Sequence, residues 1–262
     1  MNILDKIIEA KKLEIANQKI HVDIETLKQI PGFYRKCNSL KDGLLHSNSS
    51  GIIAEFKQKS PSKGDINLNV KVEEVTKSYA DAGAAGISVL TEAKFFGGSQ
   101  SNLVKAREIN PDIPILRKDF MIDPYQLVEA KAFGADVILL IAACLEKEKC
   151  ELLAKEAKNL GMEVLMEIHN EEELDKINDF VDLVGVNNRD LKTFKVDIET
   201  SVKLAKIIPD KFVKISESGL SSAQTIHYLK DNGFKGFLIG ETFMKTENPG
   251  AACKKLIEEL NK

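Results

Sequence analysis

Residues able to move protons stand at the ends of several apolar runs in this chain. In IIAEFKQKSPSKGDI, Glu55 and Lys57 lie two apart. On an extended segment they face one way and Phe56 the other. With Phe56 packed beneath flanking helices, Glu55 and Lys57 share the inner side. A buried carboxylate beside an ammonium is costly unless paired, so the two read as proton-handling groups or as a structural ion pair at a rim. In ILRKDF, Lys118 and Phe120 share one side and Arg117 and Asp119 the other. Lys118, aimed into a mouth crowded with cations, is expected to have a lowered pKa suited to proton donation near neutrality; a solvated rim charge is the plain alternative. EVLMEIH ends near Glu167, an acid/base partner for Lys118 if the two face each other. GVNNRD sets Asn187 and Arg189 on one side. The guanidinium offers a planar fork for a carboxylate or phosphate, unless Asp190 neutralises it.

Two more runs end in glycine turns, ISESGL and LIGETF. Backbone N–H groups near Ser218, Gly219, Gly240 and Glu241, with helix starts behind them, form the kind of cradle that grips a phosphate. The side chain of Glu241 must then point away from the anion. Pro61 and Gly64 mark a loop after the first run that can fold over a ligand.

These groups need a frame that brings strand ends together. From Ile52 onward eight short apolar runs occur, at 52–56, 86–90, 113–117, 136–141, 163–167, 182–187, 211–216 and 236–240. Most lack clean alternation, as expected of strands buried on both faces. Between them lie amphipathic segments such as VEEVTKSYADAG, DPYQLVEAKAFG, LEKEKCELLAKEAKNLG and SSAQTIHYLKDNG. These read as helices that stop at Gly83, Gly134, Gly161 and Gly233. Eight βα units with right-handed crossovers predict an α/β fold, a (β/α)8 TIM barrel; an open doubly wound sheet is the alternative. In such a barrel the active site lies at the C-terminal ends of the strands, where the charged groups above stand. We read residues 1–262 as a single barrel domain, with 1–50 an N-terminal helical extension and 51–262 the barrel. In the extension, Ile3, Leu4, Ile7 and Ile8 follow helical spacing, which predicts an amphipathic helix lying on the domain. A second short helix is expected over 24–30, ending at Pro31-Gly32, before the polar loop HSNSSG.

Composition narrows the function. Of 262 residues, 43% are hydrophobic and 29% charged, which suits a large core with a polar surface. The net charge of -3 comes from 37 basic and 40 acidic residues mixed along the chain, so nucleic acid is a poor partner. No apolar run is long enough for a membrane span, and the charges at Asp5, Lys6 and Glu9 interrupt any signal-peptide core. Cys37, Cys144, Cys150 and Cys253 form no C-x-x-C pair, and the histidines are scattered. Free thiols in a reducing cytoplasm are expected, without a zinc site or a Cys–His nucleophile.

Taken together, AEFKQKSPSKGDI, VLTEAKFFGGS, ILRKDFMIDPYQLVEAKAFGAD, LMEIHNEEEL, GVNNRDLKTF, SESGL and LIGETFM resemble indole-3-glycerol-phosphate synthase, in register from about residue 50 to 245. KSPSKG, RKDF and NNRDL in this order are specific; the SG and IG pieces are shared by many barrels. The chain varies from the pattern at Phe56 and Glu241, both peripheral. The resemblance implies a carboxy-lyase of tryptophan biosynthesis. Its substrate would be 1-(2-carboxyphenylamino)-1-deoxyribulose 5-phosphate, converted with loss of carbon dioxide and water and with no metal or organic cofactor. It implies that Lys118 is the general acid of ring closure and Glu167 the acid/base group of dehydration. Lys57 would bind substrate anions and donate a proton, with Glu55 and Asn187 as mechanistic supports. Ser60, Pro61, Phe96, Phe120 and Arg189 match substrate-binding positions around the anthranilate ring and its carboxylate, and Ser218, Gly219, Gly240 and Glu241 match the phosphate grip. A cytoplasmic monomer or weak homo-oligomer is expected, with no isomerase domain fused behind the barrel. The rival readings are another phosphate-gripping barrel, such as a sugar-phosphate isomerase or epimerase, and a non-catalytic barrel that only binds a phosphorylated metabolite.

Overall fold

The computed structural model describes residues 3–191 and 193–262. Met1 and Asn2 of the leading segment and Lys192 of the NNRDLKTF motif lie outside the described residues.

Eight strands form the core: β1 (Ile52–Phe56), β2 (Gly86–Leu90), β3 (Ile115–Lys118), β4 (Val137–Ile141), β5 (Glu163–Ile168), β6 (Leu183–Asn187), β7 (Val213–Glu217) and β8 (Gly236–Ile239). Each pairs in parallel with the next, and β8 pairs with β1, so the sheet closes into a barrel. All eight coincide with the expected apolar runs to within two residues at either end. The closed topology decides for the barrel over the open sheet.

Side-chain alternation divides the strands between two cores. Ile53, Leu116, Leu139, Leu165, Leu183, Ile215 and Leu238 point into the barrel. Ile52, Ala54, Phe56, Val89, Val164 and Val184 point outward against the helices. Full burial of both faces explains why these runs show no polar alternation.

The extension holds α1 (Ile3–His21), α2 (Ile24–Lys28), a 3-10 turn at Pro31–Tyr34 and α3 (Leu40–Leu45). The sequence reading anticipated the first two and missed α3. The side chains of Leu40 and Leu44 from α3 join the inner cluster at the N-terminal end of the barrel. Glu163, at the start of β5, accepts hydrogen bonds from the Leu40 and Lys41 amides at 2.9 and 3.0 Å, satisfying the first turn of α3. The barrel is thereby plugged at that end and open at the other.

Helix α1 packs Ile7 and Ile15 inward, but its inward stripe is not purely apolar. Lys11 is 1% exposed, with its ammonium 2.9 Å from both Asp119 and Glu14. Asp119 also accepts from Thr91 Oγ1 at 2.6 Å and pairs with Arg117 at 3.2 Å. The first helix is thus fastened to the strand that carries Lys118.

The outer helices α4 (Val72–Asp81), α5 (Gln100–Ile109), α6 (Pro124–Ala132), α7 (Lys147–Asn159), α8 (Glu199–Ala205), α9 (Ala223–Asp231), α10 (Glu241–Met244) and α11 (Pro249–Leu260) surround the barrel. The connection after β5 makes only a 3-10 segment, Glu171–Lys176. Gly83, Gly134, Gly161 and Gly233 follow their helices with φ between 76° and 94°, as expected from their place in the sequence.

Candidate active site

Strand parity builds the site. Two positions beyond an inner apolar residue comes a polar group or a glycine: Glu55 after Ile53, Lys118 after Leu116, Glu167 after Leu165, Glu217 after Ile215 and Gly240 after Leu238. On β6, Gly185 and then Asn187 follow Leu183. The apolar layer therefore gives way to a polar one at the open end.

All fourteen residues assigned catalytic, substrate-binding or phosphate-binding roles from the sequence line one cavity there. Glu55, Lys57, Ser60 and Pro61 come from β1 and the loop after it, in which Lys59–Ser60 and Gly64–Asp65 form a small antiparallel ladder. Phe96 follows β2, and Lys118 and Phe120 come from β3. Glu167, Asn187 and Arg189 come from β5 and β6, and Ser218, Gly219, Gly240 and Glu241 from the turns after β7 and β8. The rings of Phe96 and Phe120 lie 6.0 Å apart, tilted by 41°. Ile3, Leu4 and Ile7 of α1 supply an apolar wall that the sequence did not reveal as part of the site.

At the centre lies Lys118. Its ammonium is 3.0 Å from Glu167 Oε2 and 2.5 Å from Glu217 Oε2. Asn187 Nδ2 donates to Glu167 Oε1 at 3.2 Å. Across the opening, Lys57 sits 2.8 Å from Glu55 Oε1, so the rim ion pair exists and faces the cavity. Ser88 Oγ donates to Glu55 Oε2 at 3.3 Å. Two glycines make this crowding possible. A Cβ at Gly185 would lie 2.4 Å from Glu217 Oε1, and one at Gly240 would lie 2.5 Å from Glu55 Oε1.

The expected lowering of the Lys118 pKa is corrected by these contacts. Burial alone would lower it, but Glu167, Glu217 and Glu55 outweigh burial and hold the ammonium above its ordinary value. The mouth is crowded with carboxylates rather than cations. The sequence reading weighed two lysines against Glu55 and Glu167 and overlooked Glu217, which completes the anionic cluster.

The carboxylates differ. Burial pushes Glu167 up, but Lys118 and His169 outweigh it and hold the group well below its ordinary value. Burial pushes Glu217 up to about 7, with Glu167 and Glu55 adding and Lys118 opposing. Glu217 Oε1 has no hydrogen-bond partner among the described residues. Glu217 is the functional candidate the sequence reading missed. The signal was its parity with Ile215, hidden inside a motif read only as a glycine turn.

On the far side of the cavity, Ser218 and Gly219 take left-handed backbone conformations, φ 71° and 76°. A side chain at Gly219 would meet Val196 Cγ1 at 2.3 Å. Glu241 reaches Lys63 at 3.4 Å and Arg189 at 3.5 Å, so its carboxylate bridges two loops. Arg189 also donates to the Phe194 carbonyl at 3.3 Å. Among the described residues no cluster of His, Cys, Asp and Glu is placed to hold a metal ion, and no helix is long and apolar enough to cross a membrane.

Comparison with known proteins gives one consistent answer. The family described as indole-3-glycerol phosphate synthase matches residues 4–256. A protein of that name from Bacteroides thetaiotaomicron is 48% identical over 259 residues, covering 99% of both chains. Another from Polynucleobacter asymbioticus is 39% identical over 97% of this chain and 98% of its own. Among solved structures, 3-hexulose-6-phosphate synthase from Salmonella typhimurium superposes with a TM-score of 0.64 at 14% identity, over 80% of this chain and 98% of that one. The tryptophan synthase A-subunit from Pyrococcus furiosus gives 0.56 at 16% identity, over 81% and 98%. At such identities these two structures speak to the barrel fold alone.

Proposed function

The chain belongs to the indole-3-glycerol phosphate synthase family, and from that premise we infer how its cavity works. It closes, decarboxylates and dehydrates 1-(2-carboxyphenylamino)-1-deoxyribulose 5-phosphate, releasing indole-3-glycerol phosphate, carbon dioxide and water. The observation that carries the assignment of roles is the Lys118 ammonium, held between Glu167 and Glu217 at the barrel mouth and facing the turns after β7 and β8.

The substrate phosphate is held by backbone amides near Ser218, Gly219, Gly240 and Glu241. The anthranilate ring lies among Phe96, Phe120, Pro61 and the α1 wall, with its carboxylate toward Lys57, Ser60 and Arg189. Anchoring both ends sets the ring carbon against the ketose carbonyl and removes most of the entropic part of the barrier. As the carbon–carbon bond forms, electrons move onto the carbonyl oxygen. Lys118 donates a proton to that developing alkoxide. A strongly held ammonium suits this task, because an alkoxide is basic enough to take its proton while the neutral carbonyl is not.

Loss of carbon dioxide returns the bonding electrons to the ring and restores aromaticity. Dehydration then needs a proton for the departing hydroxyl and a base for the neighbouring CH2 carbon. Glu167, ionised in the free protein, takes the second role. Lys57, paired with Glu55 across the opening, is placed to serve the first, and Asn187 keeps Glu167 aligned. Glu217 balances the charge of Lys118 and exchanges protons near neutrality.

The α1 wall makes the extension part of the working domain. The direct test supplies the purified protein with the anilino-ribulose phosphate, without added metal and with a chelator present. Indole fluorescence should rise and carbon dioxide appear in equal amount. Substrate that stays unconverted, or is only isomerised, would overturn the reading.

A further inference from the structure

His169 is a buried titratable group that the mechanism above leaves unused. It follows β5 and shares the parity of Glu167, yet it does not line the cavity. Its ring is 10% exposed. Nε2 lies 3.3 Å from Glu167 Oε1, an ion-pair distance without a straight hydrogen bond, since that nitrogen finds no aligned acceptor. Nδ1 lies 3.4 Å from Glu173 Oε2. Glu173 is itself buried and fixed: Oε2 accepts the His169 amide at 2.8 Å and Oε1 accepts Asn170 Nδ2 at 3.1 Å.

We propose that His169 is a positioning residue, an imidazolium clamped between Glu167 and Glu173 that keeps Glu167 a carboxylate aimed at the mouth when Lys118 turns to substrate. Glu167 and Glu217 both depend on Lys118 for a countercharge. Once that ammonium engages the substrate oxygen, Glu167 faces Glu217 with less compensation, and a buried carboxylate in that position takes up a proton. A second cation behind it prevents this. The other groups around the ring do not supply one. Cys144, close to both Glu167 and Glu173, is a thiol pushed up by burial and stays neutral. The ammonium of Lys176 is bound to the carbonyls of Ala142 and Leu145, each at 2.9 Å. Beyond Glu167 lie Lys118 and the carboxylates of Glu217 and Glu55. In agreement, burial lowers the imidazole pKa but Glu167 and Glu173 outweigh it and raise it to about 10.

The inference rests on the acid/base role given to Glu167, and its test separates the two. In the full chain without substrate, the His169 ring resonance is identified as the one absent from His169→Asn and followed by NMR. It should remain in the charged form to a pH of about 8 or above, where an ordinary imidazole is neutral, and should lose that protection in Glu173→Gln. A neutral His169 ring at that pH overturns the proposal whatever the enzyme does. With substrate, both variants should shift the acid limb of kcat upward by about one pH unit, because Glu167 in the complex then takes a proton more readily. kcat should fall and KM stay near wild type. Glu173→Gln leaves the ring in place, so it carries the test if His169→Asn folds poorly. An unshifted acid limb in a folded variant also overturns the proposal, whereas a wild-type protein that forms no indole overturns only the function assigned to the cavity.

Discussion

Replacing Lys118 with Met removes the one charge that two buried carboxylates share and keeps most of the volume of the stem. Its ammonium stands 3.0 Å from Glu167 and 2.5 Å from Glu217, and Glu55 adds to the same field. Losing the proton donor should lower kcat by about a hundredfold to ten-thousandfold, the usual contribution of a placed general acid. The phosphate turns are untouched, so KM should change far less. Stability carries an independent signature. Removing one partner of a buried pair costs about 3–5 kcal/mol when the remaining charge has no relief. Here protonation gives relief. Glu217 already sits at about 7 in the folded protein, above its ordinary value, and the variant raises it further. A carboxyl whose folded pKa is raised contributes stability that is fully present below its unfolded pKa and lost as pH rises through the folded one. The melting temperature of Lys118→Met should therefore lie below wild type already near pH 5, where the ionised Glu167 has lost its ammonium, and the gap should widen above about pH 7 as Glu217 resists ionising. Steady-state indole fluorescence and calorimetry across this range test both halves. A gap in melting temperature that is constant with pH, or turnover within about tenfold of wild type, would refute the charge-sharing arrangement.

The crowding around Glu217 makes Gly185→Ala informative. Its Cβ would lie 2.4 Å from Glu217 Oε1, and a displacement of about 1 Å at such a site should cost about a hundredfold in kcat, so near-normal turnover in stopped-flow assays would show that Glu217 is not held where it is needed. In Lys11→Met the buried Asp119 loses one of its cations, and the melting temperature should fall by roughly 10 °C, from about 3–5 kcal/mol on a chain of this size. Lys12→Met, at the exposed neighbouring position, should change stability by less than about 0.5 kcal/mol, and equal effects at the two positions would deny the anchoring role. Glu241→Gln removes a carboxylate next to the proposed phosphate turns, where it holds Lys63 and Arg189 at 3.4 and 3.5 Å. KM at low salt should drop about two- to fivefold, as for a partly exposed charge, and an unchanged or raised KM would mean that its loop-bridging contacts matter more than its repulsion.

Much of this molecule is legible in its sequence because a parallel barrel repeats one local rule. Burial on both faces forces runs such as DVILLI and GFLIG to be apolar throughout, and the returning helix must stop sharply, which places Gly134 and Gly233. Parity then indicates which strand-end side chains share a face, and so Glu55 with Lys57, or Lys118 with Phe120, can be paired on paper. Helix α3 and the inward stripe of α1 were harder. The short LKDGLL segment is helical because Ser39 and Glu163 satisfy its first turn and the barrel end receives Leu40 and Leu44. Lys11 looks like a surface residue until Asp119 is placed beneath it.

The charge state of the mouth was the part least open to a strand-by-strand reading, and the reason is physical. Lys118 taken alone at a strand end invites the inference that burial and neighbouring cations weaken its hold on a proton. Its actual neighbours are contributed by β5, two strands on, and β7, directly across the closed barrel, and Glu217 was masked by the serine and glycine that follow it. Spacing along one segment gives direction, whereas a pKa is set by the summed field of groups that only closure brings together. The same closure explains the two glycines opposite the carboxylates. Gly185 and Gly240 are unremarkable in their own strands, but each leaves the space that a carboxylate from a neighbouring strand occupies. A barrel mouth that must hold three carboxylates and two ammonium groups within contact distance thus fixes residues of no chemical function as tightly as those that touch the substrate.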